Sequence, residues 1–171
     1  MAENRDRLMP PRIDLGKHAS TTMAHCMSQY KSWKAGEVET HGRRTVMGYV
    51  LPDWQRGLVW SEGQKVAFIE SAWLGIPIGT YAYNQGKIGS PYDHLLIDGQ
   101  QRMSAVQDYI ENAFPVFGHY WSELPTPDER RWSLSTSFPC YTVETEDEAL
   151  LRNYYNLTNF GGTAHKESER A

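Results

Sequence analysis

Four apolar-leaning residues, His94-Leu95-Leu96-Ile97, run directly into Asp98-Gly99, and Gln100-Gln101-Arg102 then opens a stretch with Met103, Val106 and Ile110 on one helical stripe. This join constrains the chain more than any other feature. A short apolar run is a buried strand, Asp-Gly is a turn, and the stripe is an amphipathic helix that ends before Pro115. The chain must therefore fold a sheet against helices at this point.

The surrounding segments extend the pattern. Met23, Cys26, Met27, Tyr30 and Trp33 recur at helical spacing behind the Ser/Thr cap residues that begin at Ser20. The polar stretch KAGEVETHGRR is read as a loop, and 45–52 as one strand closed by Pro52. Ser61 and Gln64 have the form of a capping box, with Val66, Ile69 and Trp73 on one face, and Gly75 and Pro77 stop that helix. Residues 76–84 alternate as a strand that pairs with 94–97 as a hairpin across an NQGK turn. Residues 115–137 read as irregular and 138–143 as a strand. Thr145 and Glu148 form a second capping box before Leu150, Leu151, Tyr154 and Leu157, and the helix ends in Asn159-Phe160-Gly161-Gly162. Strands and helices mix without strict alternation, which predicts an α+β fold. Residues 1–18, with Pro10 and Pro11, are expected to form a flexible arm, and 19–171 a single domain.

Composition removes several function classes. Seventeen Lys and Arg stand against twenty-one Asp and Glu, a net charge of −4, so no global basic field advertises nucleic-acid binding. A local groove can still be basic; His41, Arg43 and Arg44 form a small basic cluster, readable as a nucleic-acid contact or as a solvated loop. Cys26 and Cys140 stand alone without a CxxC or Cys/His pattern, which argues against a zinc site or a disulfide framework. No signal peptide and no membrane-length apolar run is apparent, so the expectation is a cytoplasmic protein with no membrane partner.

Three segments have the residue types for chemistry. At 97–102 the first N–H groups of the helix and its dipole favour an anion, Gly99 permits close backbone approach, and Arg102 can clamp phosphate. Gln100 and Gln101 offer amides to ribose or base edges, and Asp98 can hold a metal or orient a water. The same run is also plain turn and cap chemistry, because Asp is a good N-cap and Gln and Arg are good helix formers. Gln55-Arg56 lies between Trp54 and Trp60, where the arginine could reach phosphate, stack, or lie along the surface. Asn159, Gly161, Gly162 and Thr163 either end a helix or form a small anion nest. His165 could serve as a base or remain solvated. His94 precedes Asp98 by four residues, but on a strand and turn that spacing puts them on no common face.

In order, PDWQRGLVWSEGQKVAFIESAWLGIPIG, LLIDGQQRMSAV and NFGGTAHKESE resemble the N-terminal domain of GmrSD-type, modification-dependent restriction endonucleases. The resemblance spans about residues 45–169. It implies a ParB/sulfiredoxin-like fold, a small mixed sheet with packed helices. It also implies a pocket that binds a nucleoside triphosphate, with hydrolysis attributed to Asp98, Gly99, Gln100, Gln101 and Arg102. In ParB relatives the equivalent turn binds the phosphates of CTP. By motif position, Gln55, Arg56, Asn159, Gly162 and Thr163 line the same pocket.

The expected catalytic residues are Asp98, Arg102 and Gln101, with Asp98 as the ligand of a Mg²⁺ ion. Full enzymes of this type carry a following HNH nuclease domain. This sequence ends at Ala171, so if the protein cuts DNA, the expectation is an active site inside the small domain or on a partner. Neither cysteine stands beside the turn as sulfiredoxin chemistry requires, and there is no room for the helix-turn-helix and dimerisation domains of ParB partition proteins. The leading expectation is an NTPase in DNA metabolism or in phage and host defence. A metal-dependent DNA nickase and a non-catalytic module binding a host protein or nucleic acid are the alternatives.

Overall fold

The strand-to-helix join forms as expected: β5 (Leu95–Asp98) passes through Gly99 into α3 (Gln100–Ile110). The computed structural model describes residues 8, 9 and 12–160, with Phe160 by its backbone alone. In chain order the other elements are β1 (Lys17–Ala19), α1 (Met23–Lys34), β2 (Thr45–Val46), β3 (Tyr49–Val50), α2 (Glu62–Trp73), β4 (Tyr81–Asn84), α4 (Thr126–Ser135), β6 (Cys140–Val143) and α5 (Glu148–Phe160). The six strands form one mixed sheet in the order β1-β6-β4-β5-β3-β2. β4 and β5 pair antiparallel as expected, although β4 takes only Tyr81–Asn84 of the 76–84 read as strand, while β4–β6 and β3–β5 are parallel. This is an α+β fold.

Strand alternation divides the core into two layers. Tyr49, Leu51, Tyr81, Leu96 and Cys140 face α1, α2, α3 and α4 on one side of the sheet. Val50, Ala82, Leu95, Ile97 and Val143 face Leu151, Tyr154 and Tyr155 of α5 on the other. The loop before α2 and the N-terminus of α3 therefore meet at one end of the sheet, with α5 beneath them.

Local chemistry explains the element ends. Ser61 caps α2: its hydroxyl oxygen accepts the Gln64 N–H at 3.3 Å and its own N–H donates to Gln64 Oε1 at 2.8 Å. At α5 the cap falls to Asp147, whose Oδ1 accepts from Ala149 and Leu150, instead of the expected Thr145/Glu148 box. Aspartate wins because it reaches two free N–H groups at once.

Other sequence expectations change. The strand read over 45–52 is a tight hairpin, folded at Met47 (φ 50) and Gly48 (φ 78). Positive φ at both central residues is the turn that matches strand twist, and a Cβ at Gly48 would meet Gln29 O of α1 at 2.6 Å. The arm does not extend to residue 18, since Lys17–Ala19 pairs with Thr142–Cys140 at the sheet edge. Residues 126–135, read as irregular, form α4, which begins with Pro127 and the acidic Asp128 and Glu129. No helix among the described residues is long and apolar enough to cross a membrane.

Candidate functional site

At the N-terminus of α3 lies a cavity of ≈ 270 Å³, lined by residues of the 55–60 loop, the β5–α3 turn, Tyr155 and Asn159. Gly99 makes the turn possible. It sits at φ 102, and a Cβ there would stand 2.8 Å from Tyr81 Cβ. As N-cap it offers no side chain to the helix, so the first N–H groups of α3 lack an intrahelical acceptor. The first turn contains no acidic residue, and the positive end of the helix dipole is not offset within the helix itself.

Asp98 and Arg102 stand at the cavity wall. Arg102 Nη2 donates to Asp98 Oδ2 at 2.9 Å, with both side chains about a quarter exposed. This pair orients the guanidinium and leaves its other donors and Asp98 Oδ1 for a ligand. Behind the turn, burial pushes the Tyr154 phenol up to about 12, and the Asp98 charge and Tyr141 add to the shift.

The glutamines bond to the backbone of the neighbouring segments. Gln101 Oε1 accepts the N–H groups of Val59 and Trp60 at 3.0 and 3.2 Å, and its amide donates to Gly57 O at 3.1 Å. Gln100 donates to Arg56 O at 2.8 Å. Gln55 donates to Leu96 O and Ile97 O at 2.6 and 3.0 Å. Because every partner of these amide nitrogens is a carbonyl, the orientation of each amide is settled by the bonding. Gln101 engages both ends of its amide with the loop and so holds the 57–60 backbone in place. Three of the family-like residues thus link two motifs that are forty residues apart. Gln55 Oε1 and Gln100 Oε1 are buried without a partner among the described residues.

Replacing Gln101 with Ala should release this clamp. Amide hydrogen exchange at Val59 and Trp60 should quicken while Ile69 in α2 stays protected, and stability should fall by about 1–3 kcal/mol. Unchanged exchange at both amides would show that the loop holds without Gln101.

Arg56 is exposed and makes no side-chain hydrogen bond or ion pair among the described residues. It does not stack between the two tryptophans. Trp54 packs edge-on to Tyr155 at 5.3 Å with the Arg152 guanidinium 5.5 Å from its ring centre, and Trp60 packs on Phe68 at 5.6 Å. With both rings occupied, Arg56 remains a cation at the cavity rim. Asn159 lines the cavity, its amide nitrogen donating to Tyr155 O at 2.9 Å. Gly161, Gly162, Thr163 and His165 lie outside the described residues.

Tyr155 was not singled out from the sequence. It lies one position off the Leu151–Tyr154 stripe, on the flank that α5 turns toward the cavity. Cys26 and Cys140 are both buried, and burial pushes the Cys26 thiol up to about 12, which leaves it unreactive. His94 accompanies Asp93 and Gln29, apart from the cavity. No group of three or more His, Cys, Asp or Glu residues that could hold a metal occurs among the described residues. The single carboxylate at the cavity fits a magnesium ion only as one protein ligand beside a substrate's phosphates.

Comparison with known protein families identifies a relationship. The model for the GmrSD restriction endonuclease, N-terminal domain, matches residues 38–169. No curated protein and no solved structure matches the chain. The matched span takes in both segments joined by the glutamine bonds and most of the sheet, and on that breadth the chain belongs to the GmrSD restriction endonuclease N-terminal domain family.

Proposed function

We propose that this domain binds a nucleoside triphosphate in the cavity at the start of α3 and hydrolyses it. The observation that supports this most is convergence. An uncapped helix N-terminus, the Arg102–Asp98 pair and the rim cation Arg56 border one cleft of ≈ 270 Å³. That volume lies just below the range of small-molecule clefts, about 300–1,000 Å³. It suits the phosphates and part of the sugar, with the rest of the nucleotide crossing the rim.

In this reading the α3 N–H groups and Arg102 hold phosphate oxygens, and Arg56 neutralises charge from the opposite wall. Asp98 keeps Arg102 aligned through Oδ2 and orients the attacking water through Oδ1. A magnesium ion, arriving on the phosphates, would offset charge that builds on them. Gln55, Gln100 and Gln101 fix the loop that carries Arg56. The family's name ties its members to restriction endonucleases, which favours a setting in DNA metabolism or in defence between phage and host.

The test is a melting-temperature panel of the four common nucleoside triphosphates, with and without Mg²⁺, on wild type and Arg102→Ala. At a hundred times Kd a ligand adds about 2.7 kcal/mol. For a chain of this length that is a rise of roughly 5–10 °C. The rise should vanish in Arg102→Ala, and Asp98→Asn should bind nucleotide but release little phosphate. A wild-type melting temperature indifferent to every nucleotide would sink the proposal. Plasmid nicking abolished by Asp98→Ala would instead assign the site to a nuclease.

A further inference from the structure

Two glycines in left-handed backbone precede β4: Gly75 at φ 74, just after α2, and Gly79 at φ 82. Their surroundings differ. A Cβ at Gly75 would meet nothing within 4 Å. At Gly79 it would stand 2.5 Å from Arg102 Nη1 and 3.7 Å from Arg102 Cζ. The guanidinium therefore occupies the space that a side chain at position 79 would take. Its other terminal nitrogen donates to Asp98 Oδ2 at 2.9 Å and lies 3.8 Å from where a Cβ at Gly99 would be. Arg102 is held between two stretches of bare backbone and one carboxylate.

We propose that Gly79 is a positioning residue for the anion site, its missing side chain allowing Arg102 to take the pose in which the guanidinium is paired to Asp98 and faces the cavity. The inference rests on the reading that Arg102 holds phosphate. The physical reason for separating pose from fold is flexibility. A methyl group at position 79 meets the far end of a long side chain, so relief comes from moving the guanidinium and not the sheet. The displaced arginine then loses its bond to Asp98 and the bidentate geometry that phosphate recognition needs. Gly75 supplies the matched comparison, because an alanine there bears a similar left-handed strain without touching any side chain.

The experiment compares Gly79→Ala with Gly75→Ala in the full chain. Calorimetric titration uses inorganic triphosphate with Mg²⁺, and separately the nucleoside triphosphate that raises the melting temperature most. Gly79→Ala should bind both about ten- to a hundred-fold more weakly. Gly75→Ala should stay within about three-fold of wild type, with a similar drop in melting temperature for the two variants. The Arg102 Nε–H resonance, assigned by its loss in Arg102→Ala, should move in Gly79→Ala and stay in place in Gly75→Ala. Equal binding by the two variants, or an unmoved resonance in Gly79→Ala, overturns the inference. If the wild type takes neither probe the nucleotide reading fails, and the resonance still decides whether Gly79 places Arg102.

Discussion

Gly99→Ala should destabilise the domain by about 2–5 kcal/mol and remove nucleotide binding with it. Two costs add at this one position. At φ 102 an alanine is outside the comfortable left-handed region, which costs about 1–2 kcal/mol. Its Cβ would also press on Tyr81, 2.8 Å from Cβ and 3.4 Å from Cα. Tyr81 has nowhere to go: it is fully buried, 4.7 Å from Phe138 and 5.8 Å from Tyr49 between ring centres. Relief must come from shifting the β5–α3 turn, which moves the very N–H groups proposed to hold phosphate. Gly89→Ala is the control, since that glycine has a similar positive φ of 76 and nothing within 4 Å. Urea denaturation of both variants, with nucleotide titration of each, checks the claim. A Gly99→Ala domain no less stable than Gly89→Ala would show that the turn yields easily.

How far the sequence alone predicts this arrangement depends on the range of the interaction. The capping box at Ser61 and the strand–turn–helix at Asp98-Gly99 are settled by residues within a few positions of one another, and the sequence predicts both; the β4–β5 pairing, across a ten-residue connection, is predicted from the two apolar runs. The split of 45–52 into two strands is local too, but it turns on a methionine at positive φ, which residue preference opposes. Helix α4 has one buried apolar anchor, Trp132, and its other large apolar residue, Leu134, is exposed. No stripe marks such a helix, and only Pro127, Asp128 and Glu129 signal its start. The site divides the same way. Anion affinity at 98–102 follows from turn and helix chemistry, whereas the bonds from Gln55, Gln100 and Gln101 join backbone positions about forty residues away. Only folding reveals that an amide which could read a ligand is already used. Gly79 shows the reverse case, where a glycine looks like a simple turn until its neighbour proves to be Arg102.

Trp132→Ala should cost about 3–5 kcal/mol, the range for emptying a large aromatic site. Trp132 is 2 % exposed and packs α4 against the rings of Trp121 at 5.3 Å, Trp73 at 5.9 Å and Tyr109 at 6.1 Å. Its indole Nε1 is buried without an acceptor among the described residues. That donor is a standing penalty, so the conservative variant separates two contributions. Trp132→Phe loses part of the ring volume but also removes the unpartnered N–H, and should cost only about 1–2 kcal/mol. The lesion is also remote from the proposed phosphate site. Trp132 meets α3 at Tyr109, nine residues beyond Gln100, which is about 13 Å along the helix axis. The nucleotide-induced rise in melting temperature should therefore survive in Trp132→Phe, from a lower starting point. If Trp132→Phe keeps its stability but loses that rise, then the aromatic cluster acts on the anion site through α3, and the helix transmits packing to chemistry.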